Sequence, residues 1–236
     1  IRLVTNNLPP QGTEKVVLNV NLDGRTEVSE TPFDINNPVE TSDFVNTVNI
    51  FDSQGNKHNM TTYFKRLASD EGISWEWHST VDGKEVTDGD GQALKEVGKG
   101  VVKFDPKGNL LSEESEDLGA NFTKGATPGQ KIELDFGKNM LTEKGNGVGA
   151  STSVAAASIT VFHSQNGFEA GNIKSIKIDL DGKLKGYYTN GVERTLGALA
   201  LATFENVDGL MKAGRNQFYA TQESGDPRIG QPQTGT

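Results

Sequence analysis

The chain has 236 residues, of which 33% are apolar and 23% charged, with 28 glycines, no cysteine and a formal net charge of −9. The acidic balance repels phosphate backbones and argues against nucleic-acid binding, and the missing thiols exclude disulfides, thiolate nucleophiles and cysteine-ligated metals. No apolar run reaches the length of a membrane-spanning helix, the stretch from Leu196 to Phe204 being far too short, so no membrane insertion is expected of a composition that admits one large domain or two modest ones.

Ile1 to Gln11 reads as an extended leading segment, because Leu8-Pro9-Pro10 favours polyproline-like backbone and blocks helix, as a linker between modules would. Ile1 is not an initiator methionine and no charged-then-apolar leader precedes it, so a fragment or a processed product is expected. Glu14 to Leu22 follows as a strand with Val16, Leu18, Val20 and Leu22 on one face, and Asp23-Gly24 is expected to close it as a hairpin turn. Thr31-Pro32-Phe33 and Asn37-Pro38 carry a loop onward.

Thr47 to Phe64 reads as one hairpin. Val48 and Ile50 alternate with polar neighbours on the first arm, and Met60, Thr62 and Phe64 do so on the return. Between them Asp52-Ser53-Gln54-Gly55-Asn56 offers an Asx-type turn starter and a glycine free to take positive φ. Trp75 and Trp77 alternate within the next strand, Ile73 to Ser79, with the turn Asp82-Gly83 after it. Gln92 to Val97 is expected to form a turn or two of helix stopped by Gly98. Val101 to Phe104 and Leu110-Leu111 flank a second turn, Asp105-Pro106-Lys107-Gly108-Asn109. Ile132, Leu134 and Phe136 mark a further strand, and Gly145 to Ser153 is small, glycine-rich and expected to be flexible.

From Gly167 the pattern is a meander. Ile176, Ile178 and Leu180 alternate, Asp181-Gly182 turns, Leu184 to Tyr188 returns, and Asn190-Gly191 turns again into Val192 to Phe204. Asp208 to Ala213 is expected to form a helical turn or two before Gly214. The tail, with Gly225, Pro227, Gly230, Pro232 and Gly235, reads as extended or loose.

Motifs that carry chemistry are incomplete. Asp82, Asp88 and Asp90 lie among glycines, yet the calcium-loop spacing is unmet and a solvated turn cluster is expected. His58, His78 and His163 show no two-histidine spacing on one face and are expected to be exposed. Gly145-Asn146-Gly147-Val148-Gly149 lacks the spacing of a dinucleotide loop and the Gly-Lys-Ser/Thr of a P-loop. Glu113, Glu114, Glu116 and Asp117 form an acidic run whose default reading is a solvated face. Trp75 and Trp77 fit core better than a sugar-stacking platform. Asn59-Met60-Thr61 and Asn121-Phe122-Thr123 match a glycosylation sequon, to which no consequence is attached. No catalytic, cofactor-binding or metal-ligating residue is assigned.

The hairpin sequence Val48-Asn49-Ile50-Phe51-Asp52-Ser53-Gln54-Gly55-Asn56-Lys57-His58, continuing to Tyr63-Phe64, resembles a stretch of the bacterial flagellar hook protein family, where such a hairpin begins the core of the outer β domain. Gln165-Asn166-Gly167-Phe168-Glu169-Ala170-Gly171 resembles the family's return from outer to inner domain. Leu199-Ala200-Leu201-Ala202-Thr203-Phe204-Glu205-Asn206-Val207-Asp208-Gly209-Leu210 is similar to a run shared by hook and rod proteins. Gly214-Arg215-Asn216-Gln217-Phe218-Tyr219-Ala220-Thr221-Gln222-Glu223-Ser224-Gly225 resembles the segment that follows it.

The resemblance implies an all-β chain of two β domains, an outer barrel- or sandwich-like domain inserted into an inner one. The outer domain is placed at Gly12 to Phe162, and the partial inner domain at Ile1 to Gln11 plus His163 to Thr236. The family's terminal helices with heptad-like repeats are not in this chain, so a piece holding the outer domain and part of the inner is expected. The resemblance also implies a structural subunit without catalysis or cofactor, exported through the flagellar secretion apparatus and polymerised into the extracellular hook. Its implied partners are further copies of itself and the hook cap, rod and hook–filament junction proteins. Three rivals remain at this point: a secreted carbohydrate-binding module using Trp75 and Trp77, a metal-assisted hydrolase using the aspartate cluster, and a distal rod protein of the same axial family.

Overall fold

The computed structural model describes residues 7–69, 72–117, 119–138 and 149–232. They fold all-β, with one short 3-10 turn among the described residues. The chain forms two compact units, one of residues 9–170 and one joining the described residues up to Leu8 to those from Gly171 onward.

The larger unit holds β1 (Lys15–Asn21), β2 (Phe44–Phe51), β3 (Lys57–Leu67), β4 (Ile73–Asp82), β5 (Leu94–Phe104), β6 (Leu110–Asp117), β7 (Glu133–Asp135) and β8 (Ile159–Gln165). Strands β2 to β6 make one antiparallel sheet in chain order, and β7-β1-β8 make a second in which β7 runs parallel to β1. The sheets also meet along their flanks. Asn46 Nδ2 of β2 donates to Thr160 Oγ1 of β8 at 2.7 Å, and Phe136 N, just past β7, donates to Glu113 Oε2 of β6 at 3.4 Å. The result is a barrel-like sandwich around a single core.

Period-2 alternation builds that core. Val16, Leu18 and Val20 point inward from β1, Val48 and Ile50 from β2, Met60 and Phe64 from β3. Phe64 stands opposite Trp77, and Trp77 opposite Gly100. The missing side chain at Gly100 makes room for the indole: a Cβ there would lie 2.9 Å from the Trp77 ring and 2.1 Å from Glu114 O. Phe136 then packs edge-on against Phe64 at 5.9 Å and tilted against Trp77 at 5.6 Å. Each such buried aromatic contributes roughly 1.5–3 kcal/mol by removal from water.

Several expectations need correction here. Asp23-Gly24 closes no hairpin, because both flanks of β1 are already taken by β7 and β8. The Asp23 carboxylate instead holds Arg25 at 2.7 Å, and the chain leaves on a long loop. Gln92 to Val97 is not helical. Lys95 and Glu96 pair with Val81 and Thr80, and Val97 is buried, so sheet pairing overrides the local preference. The stretch expected to be flexible is fixed at its end: Ser151 Oγ accepts from Val20 N and donates to Leu18 O, and Ser153 Oγ accepts from Trp75 Nε1 at 3.3 Å. Residues 145–148 lie outside the described residues, as do residues 1–6 of the leading segment.

The smaller unit holds β9 (Ile173–Ile178), β10 (Lys183–Tyr188), β11 (Glu193–Ala198), β12 (Leu201–Thr203), β13 (Met211–Gly214), β14 (Gln217–Tyr219) and β15 (Arg228–Gly230). The expected meander is β9-β10-β11, with β10 central. Asp208 to Ala213 is not a helix. A single 3-10 turn, Val207–Gly209, is capped by Asn206 and gives way to β13, the chain being extended already at its C-cap Leu210. The tail is also more ordered than its prolines suggest, since β15 pairs with β12. Gly235 lies outside the described residues. Leu8, Leu184 and Tyr188 are the buried large apolar side chains described here, whereas Leu180 is 83% exposed and Ile178 is exposed beside it.

Candidate functional site

Two turns of the larger unit are built alike from the same five-residue pattern. In Asp52-Ser53-Gln54-Gly55-Asn56, Gly55 sits at φ +82°, and Asp52 N and Asn56 O close the loop at 3.0 Å. Asp52 Oδ1 accepts the backbone N–H of Gln54 and of Asn56, both at 2.8 Å, and Oδ2 accepts Asn56 Nδ2 at 2.8 Å. In Asp105-Pro106-Lys107-Gly108-Asn109, Gly108 is at φ +86° and Asp105 makes the corresponding bonds to Lys107 N, Asn109 N and Asn109 Nδ2 at 2.8–3.0 Å. Three-residue loops of this kind need one residue in the left-handed region, and glycine supplies it without strain. In the smaller unit Asp179 and Gly182 repeat the backbone pattern, with Lys183 in the fifth place.

The Asp52 turn carries more than its twin. Asp52 is fully buried, and His58 Nε2 lies 3.3 Å from its Oδ2. His58 Nδ1 lies 2.6 Å from Glu85 Oε2, and the ring stacks on Phe122 with centroids 4.0 Å apart. Burial pushes the Asp52 carboxyl up, but the bonds donated by the Asn56 side chain and backbone, His58 and Gln54 outweigh it and hold the group below the usual carboxylate range.

Beside this turn, the segments by which the chain enters and leaves the larger unit come together. Gln11 and Phe168 exchange two backbone hydrogen bonds of 2.9 Å. Buried Thr13 takes Phe51 N on its hydroxyl at 2.9 Å, donates its own N–H to Phe51 O, and points its Oγ1–H at Gln165 Oε1 at 3.0 Å. Gln130 Nε2 donates to both Thr13 O and Phe51 O. Asn166 Oδ1 accepts Glu14 N and Lys15 N at 3.0 and 3.1 Å. The residues that carry the hook-family resemblance, 52–56 and 165–168, thus meet in one node although more than a hundred positions separate them. The adjoining cleft of about 600 Å³, lined by Gln11, Glu14, Ser53, Pro128, Lys131 and Glu133 among others, holds no convergent acid, base and nucleophile.

Residues singled out for chemistry fall elsewhere. Trp75 and Trp77 are 0% and 2% exposed, which overturns the sugar platform: both belong to the core. Asp82 Oδ1 accepts Lys84 N at 2.9 Å and Asp88 faces Lys95 at 3.2 Å, while Asp90 holds a left-handed φ of 48°. Among the described residues no group of three His, Asp or Glu could hold a metal. The acidic run lies on β6, with Glu114 and Glu116 exposed and facing Lys103 and Lys99 across the strands. His163 is exposed as expected, but His58 is buried and His78 half-buried. His78 contacts Glu96 Oε1 at 2.5 Å and stacks on Phe33 at 4.0 Å. Their alternation with polar neighbours hid this, since the carboxylate partners are distant in sequence.

In the smaller unit the notable surface is apolar. Leu201, Val207, Met211, Phe218, Tyr219 and Ile229 are all exposed. A monomer rarely leaves so many large apolar side chains uncovered in so short a stretch.

Residues 21–168 match the family described as "Flagellar basal body protein FlaE D2 domain". The flagellar hook protein FlgE of Treponema pallidum is 31% identical over 254 residues, covering 96% of this chain and 52% of that protein. The Salmonella typhimurium flagellar hook protein FlgE is 29% identical, with 95% and 51% covered, and that of Escherichia coli K12 is 30% identical, with 87% and 46% covered. The chain spans about half the length of these relatives. Of solved structures, Helicobacter pylori flagellar hook protein FlgE2 superimposes with a TM-score of 0.55 at 20% identity, over 79% of this chain and 39% of that one, a likeness of fold.

Proposed function

This chain belongs to the flagellar hook protein family, and on that premise we propose that it is a structural subunit of the hook, the short curved tube that transmits motor torque to the filament. The observation that carries the reading is the smaller unit, which buries few large side chains while exposing Leu201, Met211, Phe218, Tyr219 and Ile229, surfaces an assembly would cover. The outer domain of the tube surface is proposed as Gly12 to Phe162, which lies inside the larger unit of residues 9–170 with its closed core and charged outer strands. The partial inner domain is proposed as Ile1 to Gln11 with His163 to Thr236, which contains the smaller unit and the segments 9–11 and 163–170 that connect it to the larger. Polymerisation is head-to-tail and open-ended, so each copy presents unlike surfaces to its neighbours.

The subunit is not an enzyme in this reading. It leaves the cell through the flagellar export apparatus, works outside it, and meets the rod, the hook cap and the junction proteins at the ends of the tube. A bending joint needs neighbours that slide, which favours modest, wet contacts from loops over broad apolar ones. The Asp-Gly loops at Asp82 and Asp88 are the proposed lateral contacts of the outer domain, rather than the strand faces of Val48, Ile50 and Met60. Immunogold labelling of intact flagella with antibody against this chain tests the assignment. Label confined to the curved segment between cell surface and filament is expected. Label in the rod alone, along the filament or only inside the cell would overturn it.

A further inference from the structure

The Asp52 and Asp105 turns share one architecture, yet only the first touches the segments that connect the larger unit to the rest of the chain. A Cβ built on Gly55 would lie 2.8 Å from Pro10 Cβ, 3.1 Å from Glu169 Cα and 3.5 Å from Ala170 N. Pro10 belongs to the incoming segment, and Glu169 and Ala170 to the outgoing one. Both therefore pass within van der Waals reach of one glycine. At Gly108 the corresponding Cβ would meet Ser153 O at 2.5 Å and Val154 Cγ1 at 2.7 Å, which are interior to the unit.

The incoming and outgoing segments hold each other by the two Gln11–Phe168 bonds, by a second pair between Leu8 and Gly171 at 2.8 and 3.0 Å, and by Gln11 Nε2 donating to Asn166 O, and so short a ladder is marginal by itself. The turn behind them is stiff, because Asp52 satisfies the donors at Gln54, Asn56 and His58 from one buried carboxylate. We propose that the Asp52–Asn56 turn is a clamp that seats both connecting segments on the larger unit, with Gly55 as the positioning residue that permits their close approach. Freedom of the chain then begins beyond the clamp, at Leu8–Pro9 and Ala170–Gly171, rather than within the segments themselves. This holds whether or not the chain is a hook subunit.

The twin turn is the control. Asparagine tolerates a left-handed φ better than other side chains, so Gly55→Asn and Gly108→Asn test bulk more than backbone strain. Amide hydrogen exchange at Gln11 and Phe168 reads the clamp directly. The chain has no cysteine, so Glu40→Cys with Lys212→Cys gives a unique spin-label pair across the two units. Gly55→Asn is expected to speed exchange at both amides by roughly tenfold and to broaden the label distance distribution. Gly108→Asn is expected to lower the melting temperature at least as much while leaving both readouts at wild type. Wild-type exchange and distances in Gly55→Asn, or equal changes in Gly108→Asn, would overturn the proposal. Should Gly55→Asn not fold, Asp52→Asn against Asp105→Asn slackens each turn from within, and the same two readouts decide.

Discussion

Replacing Asp52 with alanine separates a buried turn carboxylate from its solvated twin. The substitution leaves four donors without their acceptor: the backbone N–H of Gln54 and Asn56, Asn56 Nδ2 and His58 Nε2. Hydrogen bonds to a charged group contribute about 1.5–3 kcal/mol each, and neutral ones about 1. The four share one oxygen pair and are not additive, and water repairs those at the turn's outer edge. The net loss for Asp52→Ala is therefore about 4 kcal/mol. Asp105→Ala removes three bonds from a half-exposed turn and should cost about 2 kcal/mol. In melting temperature these are about 12 and 6 °C for a unit of this size.

Both tryptophans lie in the larger unit, so urea unfolding followed by their fluorescence reports on that unit alone. Acid supplies a second check. Each carboxyl is held below its unfolded value: Asp52 by bonds that outweigh the burial raising it, Asp105 chiefly by Asn109. A depressed carboxyl contributes stability above its unfolded pKa and loses it as pH falls through the folded one. The gap between wild type and either variant should therefore close below about pH 4. Equal losses for the two variants, or a gap unchanged in acid, would refute the account of Asp52 as the hub of the turn.

Phe64→Ala empties the centre of the core against Trp77 and Phe136 and should cost about 3–5 kcal/mol, read from the same urea midpoints. Gly100→Ala drives a methyl into Glu114 O and the Trp77 indole and should cost about 1–3 kcal/mol with a shifted tryptophan spectrum, an unshifted spectrum counting against the packing described. Ca²⁺, Zn²⁺ and nucleotides should leave the melting curve unmoved, since a ligand at a hundred times its dissociation constant would add about 2.7 kcal/mol and show plainly. The chain should sediment as a monomer at high micromolar concentration, because specific interfaces bury above about 1,200 Å² and its exposed apolar side chains are divided between Ile159, Val161 and Phe162 of the larger unit and Leu201, Met211, Phe218, Tyr219 and Ile229 of the smaller. A tight dimer or ordered filaments would place the assembly energy in these two units.

Turns were the most legible feature of this chain. Asp52 to Asn56 offers an Asx starter with a glycine free to take positive φ, Asp105 to Asn109 a proline with a glycine, and both form turns with the glycine at positive φ. Local chemistry suffices there because the turn satisfies itself. Partners were harder to read. The alternation of β1 announced a strand with one buried face, but β7 and β8 reach it from far along the chain, so the expected hairpin at Asp23-Gly24 does not exist. Gln92 to Val97 failed for the same reason, its helical bias yielding to pairing with β4.

By itself, then, the sequence determined the all-β character, the main hairpins, the core tryptophans and, through four stretches of resemblance, the family. Those properties rest on spacing and on residue type, which are local. Only the tertiary structure decided that the hairpin tip at Gly55 and the segments at Pro10 and Glu169 occupy one node, that His58 is buried between two carboxylates, and that the apolar residues of the smaller unit face outward. A periodic pattern states that a side chain has an inside and an outside; which distant segment lies against it is settled by the packing of the whole.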